Sequence, residues 1–217
     1  MNISGKLCSL LSILTISAGT LFFADASTAA ETIKIGVAGA LSGDLASYGL
    51  PTARAAELVA EDLNAHGGIN GAKVELLVED DACKPEIATN TATKLVSEGA
   101  VAVIGHICSS ATKAALPIYN EANMIVISPS ATDSELTKSG DYPTFYRTIA
   151  PNDAQAGAIV NFTVDNLKAQ KVAIIHDKGD YGKGLAEDAR RIIERDAKAK
   201  IVLFEGITPG SFHLLHH

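Results

Sequence analysis

Three turns of this chain carry residues suited to gripping a small charged molecule without altering it. They are Ser42 with Ser47 and Tyr48, the run Gly105-His106-Ile107-Cys108-Ser109-Ser110, and the run Ser128-Pro129-Ser130-Ala131-Thr132. The second run leads into a segment with helical apolar spacing, which places Ser109 at a helix N-terminus. Unpaired N–H groups and a partial positive charge there favour a carboxylate. A serine in that place also caps its own helix, and spacing alone does not choose between the roles. Thr132, with the backbone carbonyl of Ser130, offers acceptors to an ammonium group, although a turn hydroxyl is commonly satisfied by its own backbone. Tyr48 and Tyr181 each begin a helix after a strand, where a ring either walls an apolar ligand or packs an interface.

The same inventory holds little that does chemistry. Gly36-x-x-Gly39-x-x-x-Gly43 is not the dinucleotide fingerprint, and neither a phosphate-binding Gly-Lys-Ser/Thr loop nor a Gly-x-Ser-x-Gly elbow occurs. His106, Ser109 and Asp177 are the types of a nucleophilic triad, but no spacing brings them together. His106 and Cys108 supply only two metal ligands with no second pair, and His213, His216 and His217 cluster at the very end. The expectation is a binding protein, not an enzyme, with no metal and no cofactor. A net charge of −7 gives no support to nucleic-acid binding, which needs a basic stripe.

The elements that must position these turns alternate regularly. Strands are expected at Ile33 to Ala38, Val74 to Val78, Val101 to Ile104 and Met124 to Ile127. Between them fall helices at Ala46 to Ala65, from Pro85 to Gly99, and at Ala111 to Ala122. Ala56, Val59, Ala60 and Leu63 share one face of the first helix. Near-continuous apolar strands joined by helices predict an α/β fold, a parallel sheet covered on both faces. Ligands of such sheets bind beyond the carboxyl ends of the strands, where the three hydroxyl-rich turns lie. Thr144 to Ile149 reads as a strand leading out of this lobe. The rhythm restarts with a helix over Asp153 to Leu167, a strand over Val172 to His176, a helix over Tyr181 to Arg195 and a strand over Ile201 to Phe204.

The organisation expected is a leader over 1–30, a first α/β lobe over 31–150, a partial second lobe over 151–210, and an aberrant tail over 211–217. Lys6 followed by the apolar run Leu7 to Ala18 and small residues to Ala30 has the pattern of a cleaved export signal, too short to span a bilayer. Cys8 falls before that apolar core, outside any lipid-anchor context. Setting it aside leaves Cys83 and Cys108, an even pair that an oxidising compartment would join, or else two free buried thiols.

The segments Ile33-Lys34-Ile35-Gly36-Val37-Ala38-Gly39-Ala40-Leu41-Ser42-Gly43, Asp80-Asp81-Ala82-Cys83, Val103 to Ser110, Ser128 to Thr132, and His176-Asp177-Lys178-Gly179-Asp180-Tyr181-Gly182 closely resemble the leucine/isoleucine/valine-binding proteins of bacterial ABC transporters. The resemblance runs from about residue 31 to 208. It implies a type I periplasmic binding protein fold, two lobes joined by a three-stranded hinge and closing on the ligand. It implies a Cys83–Cys108 disulfide, with Ser109 and Thr132 on the ligand's carboxylate and ammonium groups. The backbone of Ser130 assists, and Tyr48 and Tyr181 flank the aliphatic side chain. The implied ligand is leucine, isoleucine or valine, the implied partner a membrane permease, the compartment the periplasm and the state a monomer. The same bilobed fold also serves extracellular sensors of amino acids or amides. The resemblance further implies an acidic residue and aromatics from later in the second lobe. Ser-Phe-His-Leu-Leu-His-His stands where the family continues with an acidic stretch, so the second lobe is expected to be incomplete.

Overall fold

The computed structural model describes residues 31–196 and 199–210. The expected leader, with Cys8, and the expected tail lie outside the described residues. Among those described, no helix is long and apolar enough to cross a membrane.

The first sheet has five parallel strands in the order β2-β1-β3-β4-β5. They are β1 (Thr32–Gly39), β2 (Lys73–Asp80), β3 (Ala102–Ile104), β4 (Ile125–Ser128) and β5 (Phe145–Arg147). Helices α1 (Ala46–Ala65), α2 (Pro85–Ser97) and α3 (Ser109–Glu121) make the crossovers. The short α4 (Glu135–Lys138) lies between β4 and β5. α2 opens on Pro85, whose fixed φ suits a first helical turn and whose missing N–H costs nothing there. The main core lies on the α2/α3 face, where Leu95, Val103, Leu116, Tyr119 and Val126 are almost wholly buried. Each such aliphatic side chain contributes about 1.5–3 kcal/mol by leaving water.

Three expectations are corrected here. The segment read as leaving the lobe pairs in parallel with β4 and becomes the edge strand β5, with Val126 opposite Phe145. The sheet is not evenly covered, because α1 packs over β1, β2 and Ile104, while Ile125 and Ile127 of β4 stand exposed beyond its reach. Val59, assigned to the buried face of α1, is 60% exposed; the close contacts are made by Ala53, Ala56 and Ala60. The small side chains let α1 lie low on the sheet, and Gly49 carries this furthest. A Cβ there would stand 1.9 Å from the carbonyl oxygen of Ala40, so only glycine permits α1 to touch the loop after β1.

The second sheet is the parallel pair β6 (Lys171–His176) and β7 (Lys200–Gly206). α5 (Asn152–Val160) precedes it and α6 (Asp180–Asp196) connects its strands. The single α-helix expected over Asp153 to Leu167 is instead α5 followed by a π-helical segment, Asn161–Asn166. The bond from the Leu167 N–H to the Phe162 carbonyl spans five residues and widens that last turn. Val160, Val164, Ala189 and Ile193 form a separate small apolar cluster with Val172 and Ile174.

Candidate binding site at the strand ends

The carboxyl ends of β1, β2 and β3 are drawn together by two adjacent aspartates. Asp80 Oδ1 accepts from the backbone N–H groups of Leu41 and Ala82, both at 2.8 Å, and so fastens the β1–α1 loop to the end of β2. Burial would raise this carboxyl, but bonds from the Ser42 hydroxyl and from the backbone of Ala82, Leu41 and Ser42 outweigh it and hold the group below its ordinary range.

Asp81 is wholly buried. Its Oδ1 accepts from the Cys83 N–H at 2.7 Å, and its Oδ2 is 2.5 Å from His106 Nδ1. The other ring nitrogen of His106 lies 3.0 Å from the Tyr119 hydroxyl. Burial, with the nearby Asp81 charge, pushes that phenol well above its usual value. Both ring nitrogens of His106 are thereby engaged, so it relays nothing to Ser109. The imagined triad does not exist: Asp177 is exposed and its Oδ1 accepts from the Gly179 N–H.

Cys83 and Cys108 form a disulfide with a Cα–Cα distance of 5.5 Å across a separation of 25 residues. It ties the turn after β2 to the start of α3. Neither cysteine is therefore available to a metal, and the described residues hold no cluster of three or more metal-ligating side chains.

Ser109 is the first residue of α3, after Cys108 in extended conformation, and is only 2% exposed. It does not cap the helix. Its Oγ accepts from the backbone N–H of Asp133 at 3.2 Å, which brings the start of α3 against the loop after β4. With a lone pair so engaged, the hydroxyl retains its own proton for donation.

That loop is held from several sides. The Ser128 hydroxyl donates to the His106 carbonyl at 2.5 Å and accepts from the N–H groups of Ser130 and Ala131. Thr132 is 6% exposed, and its hydroxyl has no hydrogen-bond partner among the described residues. Its carbonyl accepts from the Asn152 N–H at 2.7 Å. Asn152, fully buried at the start of α5, donates from Nδ2 to the Tyr181 carbonyl at 3.2 Å, while its Oδ1 is likewise unpartnered. Gln155 Nε2 donates to the Tyr181 hydroxyl at 3.2 Å.

A continuous chain of contacts thus links Ser109, the Ser130–Thr132 loop, Asn152 and Tyr181. Tyr48 stands apart, on the first turn of α1 with its ring 65% exposed. Sequence reasoning missed Asn152 and Arg147. Their only sequence signals are a polar amide opening a helix and an arginine ending a short apolar strand.

Two concavities lie elsewhere. One, of about 530 Å³, runs along β6 between α5 and α6, and the other, of about 510 Å³, lies between α1 and the sheet around Ile35, Leu76 and Ile104. Neither is lined by Ser109, Thr132 or Tyr181. They are furrows between elements, without the convergent buried polar atoms that single out the strand-end site.

The described residues thus form an α/β protein in which buried hydroxyls and a helix N-terminus gather at the carboxyl ends of a parallel sheet. The chain belongs to the periplasmic binding protein family, whose model matches residues 32–210. It is 40% identical over 188 residues to a leucine-, isoleucine-, valine-, threonine- and alanine-binding protein of Pseudomonas aeruginosa, covering 87% of this chain and 50% of that one. It is 39% identical over 211 residues to the Leu/Ile/Val-binding protein of Escherichia coli, covering 97% and 55%. Among solved structures it resembles the isoleucine complex of a branched-chain amino acid transporter substrate-binding protein from Streptococcus pneumoniae. The TM-score there is 0.72 at 34% identity, over 85% of this chain and 52% of the other. The chain spans about half the length of the relatives it matches.

Proposed function

We propose that this protein captures a free branched-chain amino acid, leucine, isoleucine or valine, in the periplasm and hands it to the permease of an ABC transporter. The observation that carries the reading is the Thr132 hydroxyl, buried and without a partner among the described residues, on a loop bonded directly to Ser109 at the start of α3. A buried hydroxyl left unpaired costs about 1–3 kcal/mol, and a ligand group that pairs with it recovers that cost. Ser109, with its retained hydroxyl proton and the helix N-terminal amides, takes the carboxylate. The Thr132 hydroxyl and the Ser130 carbonyl take the ammonium group. Tyr181 and Tyr48 wall the aliphatic side chain, Tyr48 from the α1 side. The names of the Pseudomonas and Escherichia relatives support the ligand class.

Domain organisation is proposed on the same footing: a leader over 1–30 removed on export, a lobe over 31–150 and a second lobe beginning at 151. The binding form is a monomer, and nothing in its role alters the ligand chemically. The test is thermal melting of the protein with leucine, isoleucine and valine against acetamide and urea. A rise in melting temperature with the amino acids alone is expected; a rise with an amide or urea alone assigns the site to another ligand class.

A further inference from the structure

Arg147 closes β5, and its guanidinium reaches back to the loop after β4. Its Nη1 donates to the carbonyls of Ala131 at 3.1 Å and Asp133 at 2.8 Å, and its Nη2 donates to the Thr137 hydroxyl. Between those two carbonyls, that of Thr132 is turned the other way and accepts from the Asn152 N–H. Carbonyl directions therefore alternate along Ala131, Thr132 and Asp133. At the near end of the loop, Ser128 fixes the amides of Ser130 and Ala131.

We propose that Arg147 is a positioning residue for ammonium recognition: by pinning the Ala131 and Asp133 carbonyls to one side, it presents the Ser130 carbonyl and the Thr132 hydroxyl on the other. The inference rests on the site reading proposed above and deepens it. A guanidinium suits the task because its planar fork of donors bonds several acceptors at once in fixed geometry, which a single ammonium point charge does not do. Arg147 touches no ligand. Its effect falls mainly on the ammonium contacts: Ser109 meets this loop at the Asp133 N–H, but the start of α3, which carries the carboxylate contacts, is also held by the disulfide and the His106 network.

The test compares leucine with isocaproate, the same skeleton without the amine, on the full chain and on Arg147→Lys. The expected result is an about tenfold loss of leucine affinity, of the order of one well-placed hydrogen bond to a charged group, with a clearly smaller loss for isocaproate. Hydrogen exchange in the free proteins adds a second readout. The amides over 130–134 exchange faster in Arg147→Lys, and those of α2 and β1 do not. Thr137→Ala, which removes only the Nη2 acceptor, shifts both readouts the same way by less.

Equal losses for leucine and isocaproate, or unchanged exchange over 130–134, overturn the inference and leave the binding assignment standing. A wild-type chain that binds isocaproate as tightly as leucine, or neither of them, overturns the binding assignment and this inference with it.

Discussion

The backbone N–H of Asn152 donates to the carbonyl of Thr132 at 2.7 Å, joining the first residue of α5 to the loop that follows β4. The side chain of Asn152 then reaches the carbonyl of Tyr181, on the first turn of α6. One residue thus fixes the spacing between a hydroxyl beside the first sheet and a ring beside the second. Because Asn152 is wholly buried, solvent does not substitute for either bond.

Asn152→Ala removes the bond to Tyr181 while keeping the backbone bond to Thr132. It is expected to lower stability by about 1 kcal/mol and to weaken leucine binding without abolishing it. Urea denaturation and a binding titration on the same preparation check both. An unchanged affinity would mean that Tyr181 is placed by other contacts.

Loss of the disulfide through Cys83→Ser with Cys108→Ser should destabilise the protein by about 3–4 kcal/mol, the loop-closure value for a span of this size. For a domain of this length that is a fall of roughly 10 °C in melting temperature. Calorimetry of oxidised and reduced wild type provides the same comparison without mutation.

Tyr119→Phe leaves His106 Nε2 without its partner in a wholly buried place and should cost about 1–3 kcal/mol. Asp81→Asn weakens the other side of the same ring. Since both act through His106, the double variant is expected to depart from additivity by about 0.5 kcal/mol or more. A strictly additive cycle would mean that the three side chains do not act as a unit.

The pH dependence of stability has a defined sign at Asp80. Its carboxyl is held below the ordinary range in the folded chain by its hydrogen bonds, so the stability it contributes is complete above the unfolded value of about 3.9. That contribution is lost as pH falls through the still lower folded value. Asp80→Asn should therefore be less stable than wild type at neutral pH, with the gap narrowing as the solution is acidified below pH ~4. Denaturant midpoints across that range measure it.

Much of the fold was legible because its strands are short apolar runs set between helices with clear punctuation. Pro85 opens α2, and Gly99, with φ +81, follows it. Legibility failed where tertiary placement decides. β5 was legible as a strand but not as part of this sheet, because three residues show no pattern that names a neighbour; lying beside Val126 makes it the edge. Val59 shares its helical stripe with Ala56 and Ala60, yet alanine contacts hold α1 too close and too narrowly for it to be covered.

The hydroxyls at the strand ends could be picked out because parallel sheets gather ligands there. Asn152 could not, since its two partners lie 20 and 29 residues away. The partners of His106 were equally hidden: its residue type alone suggested a triad that no spacing supported, and Asp81, 25 residues back, and Tyr119 occupy its ring.

The central claim is tested most directly by calorimetric titration of the chain with leucine, beside Thr132→Val, which keeps the shape and removes the hydroxyl. Saturable binding by the wild type at one site is predicted, with a loss of about tenfold or more in Thr132→Val and no fall in its melting temperature. Absence of heat with leucine, isoleucine and valine alike, or equal affinities for wild type and Thr132→Val, would contradict the account.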